Sequence, residues 1–231
     1  MVNGVLVEVC CGSVDDCIVA AQGGADRIEL NHALELDGMT PSTATLRRAK
    51  EVVDIPICCM VRPRAFGFCY SEELFRVMKM EAEDLLENGA DGIVFGFLHE
   101  DATIDVERTK EMVQLIHPKE AIFHKAFDCT EDLFESMQIL IDCGVDRVLT
   151  SAKGSSPDIE MLRKLNEAFG QQIEILPGGG VRSHNVVEIV ERTGLNQVHT
   201  SAKHTVPHSF AATDAEKLRE LMETLENVGR K

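Results

Sequence analysis

The chain has 231 residues, with 39 acidic against 23 basic side chains and a formal charge of −16. That balance repels nucleic acid and anionic lipid, and no apolar run is long enough to span a membrane. The apolar start breaks at Glu8 and has no basic flank, so no signal peptide is expected; the eight cysteines, without CxxC spacing, are expected as thiols of a cytoplasmic protein.

In chain order, the first apolar run, Val5 to Cys10, predicts a strand, and Ser13 caps the helix after it. A glycine-led pentapeptide, GADRI, then starts at Gly24. It recurs as GADGI at Gly89, GVDRV at Gly144 and GLNQV at Gly194. Each copy reads as a helix stop followed by a strand start, because glycine tolerates the left-handed conformation and β-branched residues follow. These copies locate the even-numbered strands. Apolar runs at Ile55 to Arg62, Ala121 to Phe127 and Gln172 to Leu176 supply the third, fifth and seventh. Caps are expected at Ser71, Asp105, Thr130 and Ser183, at Ser156 followed by Pro157, and in a capping box of Thr213 with Glu216. Strand and helix alternating eight times over residues 1–231, with no linker, predict one α/β domain, a (β/α)8 TIM barrel. A doubly wound open sheet is the competing fold.

Barrel chemistry sits at the carboxyl ends of the strands, so alternation selects the residues that face inward there. In the first strand Val5, Val7 and Val9 form the helix-facing side, which sends Leu6, Glu8 and Cys10 inward. The same parity turns Arg27, Glu29 and Asn31 inward from the second strand and His199 from the eighth. Arg62 is expected to reach Glu29. His124 and Asp128 face inward from the fifth strand. Clustered carboxylates and histidines shift one another's pKa values, as proton transfer near neutral pH requires. An ion network that only braces the barrel is the alternative.

TSAK occurs at Thr150 and again at Thr200. Pro177 leads into Gly178, Gly179 and Gly180 just before a helix, a pattern that lets an anion approach the backbone and a helix end, with Ser201 nearby. Lys153, Lys203 and His204 are possible helpers, and a plain tight turn is the alternative. Cys10 is the one cysteine that parity aims at the pocket, and soft thiolates prefer Cu(I). Glu and His would also suit zinc or manganese, although no HxH or HExxH spacing occurs.

VEVC at Val7, GGADRIEL at Gly23, MTPS at Met39, MVRPR at Met60, FHKAFD at Phe123, RVLTS at Arg147 and PGGGV at Pro177 together resemble the copper homeostasis protein CutC family, from the first strand to the eighth. The resemblance implies a cytoplasmic TIM barrel, commonly oligomeric with a dimer favoured, that handles copper. Where the family often carries a cysteine after IEL, this chain has Asn31, so Cys10 lacks that partner. Lys125 stands where arginine is usual. Two functions follow. One is Cu(I) binding through Cys10. The other is an enzyme of lyase or isomerase type acting on a small phosphorylated or carboxylated substrate, held by Gly178 to Gly180 and Ser201, with Glu8, Glu29, Arg62, His124, Asp128 and His199 as its polar machinery.

Overall fold

The four repeated glycines all take left-handed φ values: 87° at Gly24, 96° at Gly89, 81° at Gly144 and 71° at Gly194. Each closes one helix and turns the chain directly into a strand, which is why the motif recurs with the fold's own period. The aspartate of the motif has a repeated task as well. Asp26 accepts the amide of Val7 at 2.9 Å, Asp91 that of Ile57 at 2.9 Å and Asp146 that of Ala121 at 2.8 Å, tying each even strand to the start of the preceding odd one. The fourth copy carries Asn196 instead.

The computed structural model describes residues 1–204 and 210–228. Its strands are β1 (Leu6–Cys11), β2 (Arg27–Leu30), β3 (Ile57–Met60), β4 (Gly92–Phe95), β5 (Glu120–Phe123), β6 (Arg147–Thr150), β7 (Glu174–Pro177) and β8 (Gln197–Thr200). Its helices are α1 (Val14–Gln22), α2 (Thr43–Val52), α3 (Glu72–Glu87), α4 (Val106–Ile116), α5 (Leu133–Cys143), α6 (Ile159–Phe169), α7 (Val186–Thr193) and α8 (Ala215–Leu225). Every ladder is parallel, and the strands run in sequence from β7 back to β1 and on to β8. β7 and β8 pack together at the seam without a ladder, so the barrel is nearly closed. A doubly wound sheet would reverse direction midway, and this one does not.

Parity behaves as alternation requires. Val7, Val9, Ile28, Cys59, Ile93, Phe95, Phe123 and Val148 belong to the layer between strands and helices, whereas Cys58, Met60, Val94 and Ile122 form a separate apolar cluster inside the barrel. Burying one such side chain contributes about 1.5 to 3 kcal/mol. Toward the strands' amino ends the interior is ionic. Arg147, 1% exposed, donates to Glu120 at 2.7 Å and lies 3.3 Å from Glu174.

Ser13, Ser71 and Asp105 cap their helices as expected. Three caps fall one or two residues later than expected, Asp132 instead of Thr130, Asp158 instead of Ser156 and Asp214 instead of Thr213, while α7 starts after Asn185 with no side-chain cap in place of the expected Ser183. An aspartate carboxylate accepts two amides where a hydroxyl accepts one, as at Asp132 and Asp214, and Thr130 is drawn instead to the carbonyl of Phe127. The fifth strand also ends early. It stops at Phe123, and Lys125–Cys129 forms a 3₁₀ turn over the barrel mouth, so Asp128 arrives by that turn and not by strand parity.

Candidate functional site

Register explains why the acidic and imidazole groups meet. Glu8 pairs laterally with His199 across β1 and β8, and Cys10 pairs with Glu29 across β1 and β2. Above them, at the carboxyl ends of the strands, lies a cavity of about 470 Å³ lined by Cys10, Glu29, His199, His124, Arg62 and Asp128, among others. Its size falls within the ~300 to 1,000 Å³ typical of small-ligand sites.

His199 stands between two carboxylates. Its Nδ1 is 2.7 Å from Glu8 Oε1 and its Nε2 3.9 Å from Glu29 Oε2. Burial presses the imidazole pKa down, but the charge of Glu29 and then the Glu8 hydrogen bond outweigh it and hold it above the ordinary value. Glu8 sits below the cavity, bonded also to Arg27 Nε. Burial, the largest influence, would raise its carboxyl; the His199 hydrogen bond and the charges of Arg27, His199 and Arg147 together keep it well below the usual range. Glu8 therefore positions and charges His199 and does not face the cavity itself.

Glu29 accepts from Asn31 Nδ2 at 2.7 Å through Oε2, while its buried Oε1 has no partner among the described residues. Cys10 Sγ accepts from the same amide at 3.4 Å. Burial, and then the Glu29 charge, push the Cys10 thiol well above its ordinary pKa. Cys10, Glu29 and His199 offer a sulfur, an oxygen and a nitrogen that all lie within 4.8 Å of one another. All eight cysteines are unbridged, as expected.

On the far wall, His124 Nδ1 accepts the Ala126 amide at 3.1 Å. That bond leaves the ring proton on Nε2, which is buried and without a partner among the described residues. Burial, assisted by the Arg62 charge, lowers the His124 pKa to about 3, so the ring is a neutral donor. Arg62 does not reach Glu29. Its guanidinium donates to the carbonyls of Leu36 and Gly38 at 3.0 and 2.9 Å, in the loop between β2 and α2, and to that of Ala65 at 3.0 Å in its own loop after β3, so loop carbonyls take the donors that would otherwise turn to Glu29. Phe68 covers both groups, 4.8 Å from the His124 ring and 5.4 Å from the Arg62 guanidinium carbon.

Asp128 is saturated. It accepts from Thr150 Oγ1, from Ser151 N at 3.0 Å and Oγ at 2.8 Å and from Lys153 N at 3.3 Å, and it pairs with Lys125 at 3.2 Å. Burial would raise its pKa, but the Thr150, Ser151 and Lys125 contacts hold it low. A carboxylate so occupied organises the loop after β6 and is a poor proton acceptor.

Gly179 and Gly180 face the cavity beside Ser201, Lys125, Lys203 and Arg182. Gly178 lies deeper: a Cβ there would come 2.6 Å from Leu149 Cδ1. Lys153 bonds the Glu131 carbonyl and His204 pairs with Asp214 at 3.0 Å, both away from the cavity. Arg182 escaped the sequence reading, although it directly follows the glycine run and Val181. The signal was its position, one turn residue beyond a possible anion cradle.

A TIM barrel with buried acid and imidazole groups and a half-buried thiol gathered under one walled mouth carries a candidate small-ligand or metal-ion site on that scaffold. The chain belongs to the CutC family, whose sequence model matches residues 5–204. It is 40% identical over 205 residues to the copper homeostasis protein cutC homolog of Homo sapiens, covering 88% of this chain and 75% of the relative. A CutC family protein of Treponema denticola is 39% identical over 204 residues, 87% of this chain and 82% of the relative. The crystal structure of a CutC protein from Streptococcus agalactiae superposes with a TM-score of 0.80 at 28% identity, covering 85% of this chain and 98% of that one. An N-(5'-phosphoribosyl)anthranilate isomerase from Pyrococcus furiosus shares the fold alone, with a TM-score of 0.64 at 14% identity over 97% of this chain and all of that one.

Proposed function

We propose that this chain serves copper homeostasis by holding Cu(I) as cargo at the barrel mouth, on Cys10 Sγ and His199 Nε2 with Glu29 beside them. The observation that carries the reading is the convergence of those three donors within 4.8 Å. Thiolate and imidazole both suit Cu(I), and the carboxylate supplies nearby negative charge. Asn31 adds no soft ligand, so the site offers one sulfur, not two.

Cys10 holds its thiol proton above the ordinary pKa and His199 holds its ring proton above its own. Both protons must leave as the ion enters, so affinity rises with pH, by up to about a hundredfold per pH unit where both groups are protonated. Anaerobic Cu(I) titration against a chromophoric chelator tests the reading. The wild type should hold one equivalent, and Cys10→Ser should lose it. Equal retention by the two proteins would refute it. Cytoplasmic location and pairing into dimers, which membership of the family suggests, belong to the same reading; sizing chromatography tests the second.

A second reading is an enzyme of lyase or isomerase type acting on a small phosphorylated or carboxylated substrate. One observation favours it: Lys125, Arg182 and Lys203 ring a cavity that also holds the His124 Nε2–H, unpartnered among the described residues, in a chain otherwise strongly acidic. His124 would polarise a substrate oxygen and Glu29 would accept a proton. A metabolite library screened by thermal shift tests it, and no stabilising compound among organic anions would count against it.

A further inference from the structure

The loop after β7 presents two amides that donate to nothing among the described residues. Among the described residues, Gly178 N donates to the Thr150 carbonyl at 2.9 Å, whereas Gly179 N and Gly180 N donate to no group. Both glycines line the cavity, with φ values of 79° and 97° that an L side chain rarely adopts. Successive amides in this conformation form a concavity suited to an anion. Asn185 braces the loop from behind: its Oδ1 accepts Arg182 N at 2.8 Å and its Nδ2 donates to the Gly180 carbonyl at 3.0 Å.

Charge points the same way. Arg182 donates to the Val181 carbonyl at 2.6 Å, to Thr200 Oγ1 at 3.5 Å and to Ser201 Oγ at 3.4 Å, and no carboxylate lies within ion-pair distance of it among the described residues. An arginine facing a cavity without an acidic partner is uncommon where acids outnumber bases so heavily, and its planar fork matches an oxyanion. Lys125 Nζ, 2.8 Å from Ser151 Oγ, lies where a Cβ on Gly179 would come within 2.8 Å of it. Lys125 also balances the charge of Asp128, whose oxygens are occupied by four donated hydrogen bonds, so the net positive charge at the loop comes from Arg182.

Two further groups describe the rest of the ligand. His124 is 3% exposed and lines the same cavity with an Nε2–H that has no partner among the described residues, which calls for an oxygen acceptor. Glu29, also 3% exposed, leaves Oε1 without a partner among the described residues and calls for a hydroxyl donor. A second anionic end would be repelled by Glu29, so one end of the ligand is charged and the other is neutral and hydroxylated.

We propose that the mouth binds a phosphate monoester of a short hydroxylated carbon chain, its phosphate held by the Gly179 and Gly180 amides, Arg182 and Ser201, and its hydroxylated end directed to His124 and Glu29. This rests on the second reading above and narrows it from any small anion to a phosphate ester in one orientation. The copper set lies on β1, β2 and β8; the phosphate cradle lies on the loops after β5, β7 and β8.

Isothermal titration of the metal-free full chain with glycerol 3-phosphate, inorganic phosphate, glycerol and glycerate tests the proposal. Glycerol 3-phosphate should bind saturably, inorganic phosphate should compete with it, and glycerol should not bind. Arg182→Met should weaken glycerol 3-phosphate at least tenfold, while Arg48→Gln, on the outer face of α2, should leave it unchanged. Binding of equal strength to Arg182→Met, or none to the wild type, overturns the proposal. If glycerate binds and glycerol 3-phosphate does not, the phosphate assignment falls while the enzymatic reading stands. If Arg182→Met does not fold, modification of the wild type by phenylglyoxal decides. Glycerol 3-phosphate should protect Arg182 and leave Arg48 reactive; unprotected Arg182 sinks the idea.

Discussion

Replacing His124 by asparagine separates a titration from a hydrogen bond. The Asn oxygen occupies nearly the place of imidazole Nδ1 and can still accept the Ala126 amide, which His124 accepts at 3.1 Å. The proton-binding ring is lost. In the folded protein burial, with help from Arg62, lowers the His124 pKa to about 3, against an ordinary value near 6.5. The native ring therefore stays neutral while the unfolded chain takes up a proton as pH falls. Stability from this group is fully present above about pH 6.5 and is lost progressively toward pH 3. Between pH 7.5 and 5.0 the unfolded histidine gains its proton and the folded one does not, which costs the wild type about 2 kcal/mol from this residue alone. Urea unfolding at the two pH values measures it. The stability difference between wild type and His124→Asn should shift by about 2 kcal/mol in favour of the variant at pH 5.0. Curves that stay parallel between the two pH values would show that His124 protonates in the native state and would refute the neutral-donor argument.

Glu8→Gln should cost about 3 to 5 kcal/mol in urea unfolding, because it leaves Arg27 and His199, 6% and 8% exposed, without their shared carboxylate. Gly92→Ala should cost about 1 to 3 kcal/mol, since the new methyl would sit 2.9 Å from the Glu120 carbonyl and 3.0 Å from Cys58 Sγ, with backbone on one side that cannot yield. Asp128→Asn should release the loop after β6, which it holds through Thr150, Ser151 and the Lys153 amide, and trypsin should then cut after Lys153 faster than in the wild type. In the same trypsin assay Asp132→Asn, which alters only a helix cap on the surface, should leave cleavage after Lys153 unchanged.

Much of the fold was written locally. Gly24, Gly89, Gly144 and Gly194 needed no distant contact to mark strand starts, because the helix stop and the β-branched residues that follow act within one turn of chain. Alternation likewise assigned Glu8, Cys10, Glu29 and His199 to the barrel interior, since a strand inverts its side chains every residue whatever surrounds it. The resemblance rested on seven short stretches, and the matched region, residues 5–204, spans them. Where the chain leaves regular structure that logic stopped working. Asp128 was assigned by carrying strand parity past Phe123, but the chain had already entered a 3₁₀ turn.

Composition and periodicity thus decided the barrel, its strand order and which residues face its axis, because these follow from side-chain size and a two-residue repeat. Distance and competition decided the site, and those exist only once eight strands have closed. Arg62 found loop carbonyls instead of Glu29, Asp128 became encircled by donors, Glu8 fell beneath the cavity floor, and Arg182 emerged at the rim without an acidic partner among the described residues. Which donor satisfies which acceptor depends on segments far apart in sequence, as with Glu8 and His199, so no local pattern can rank the partners in advance.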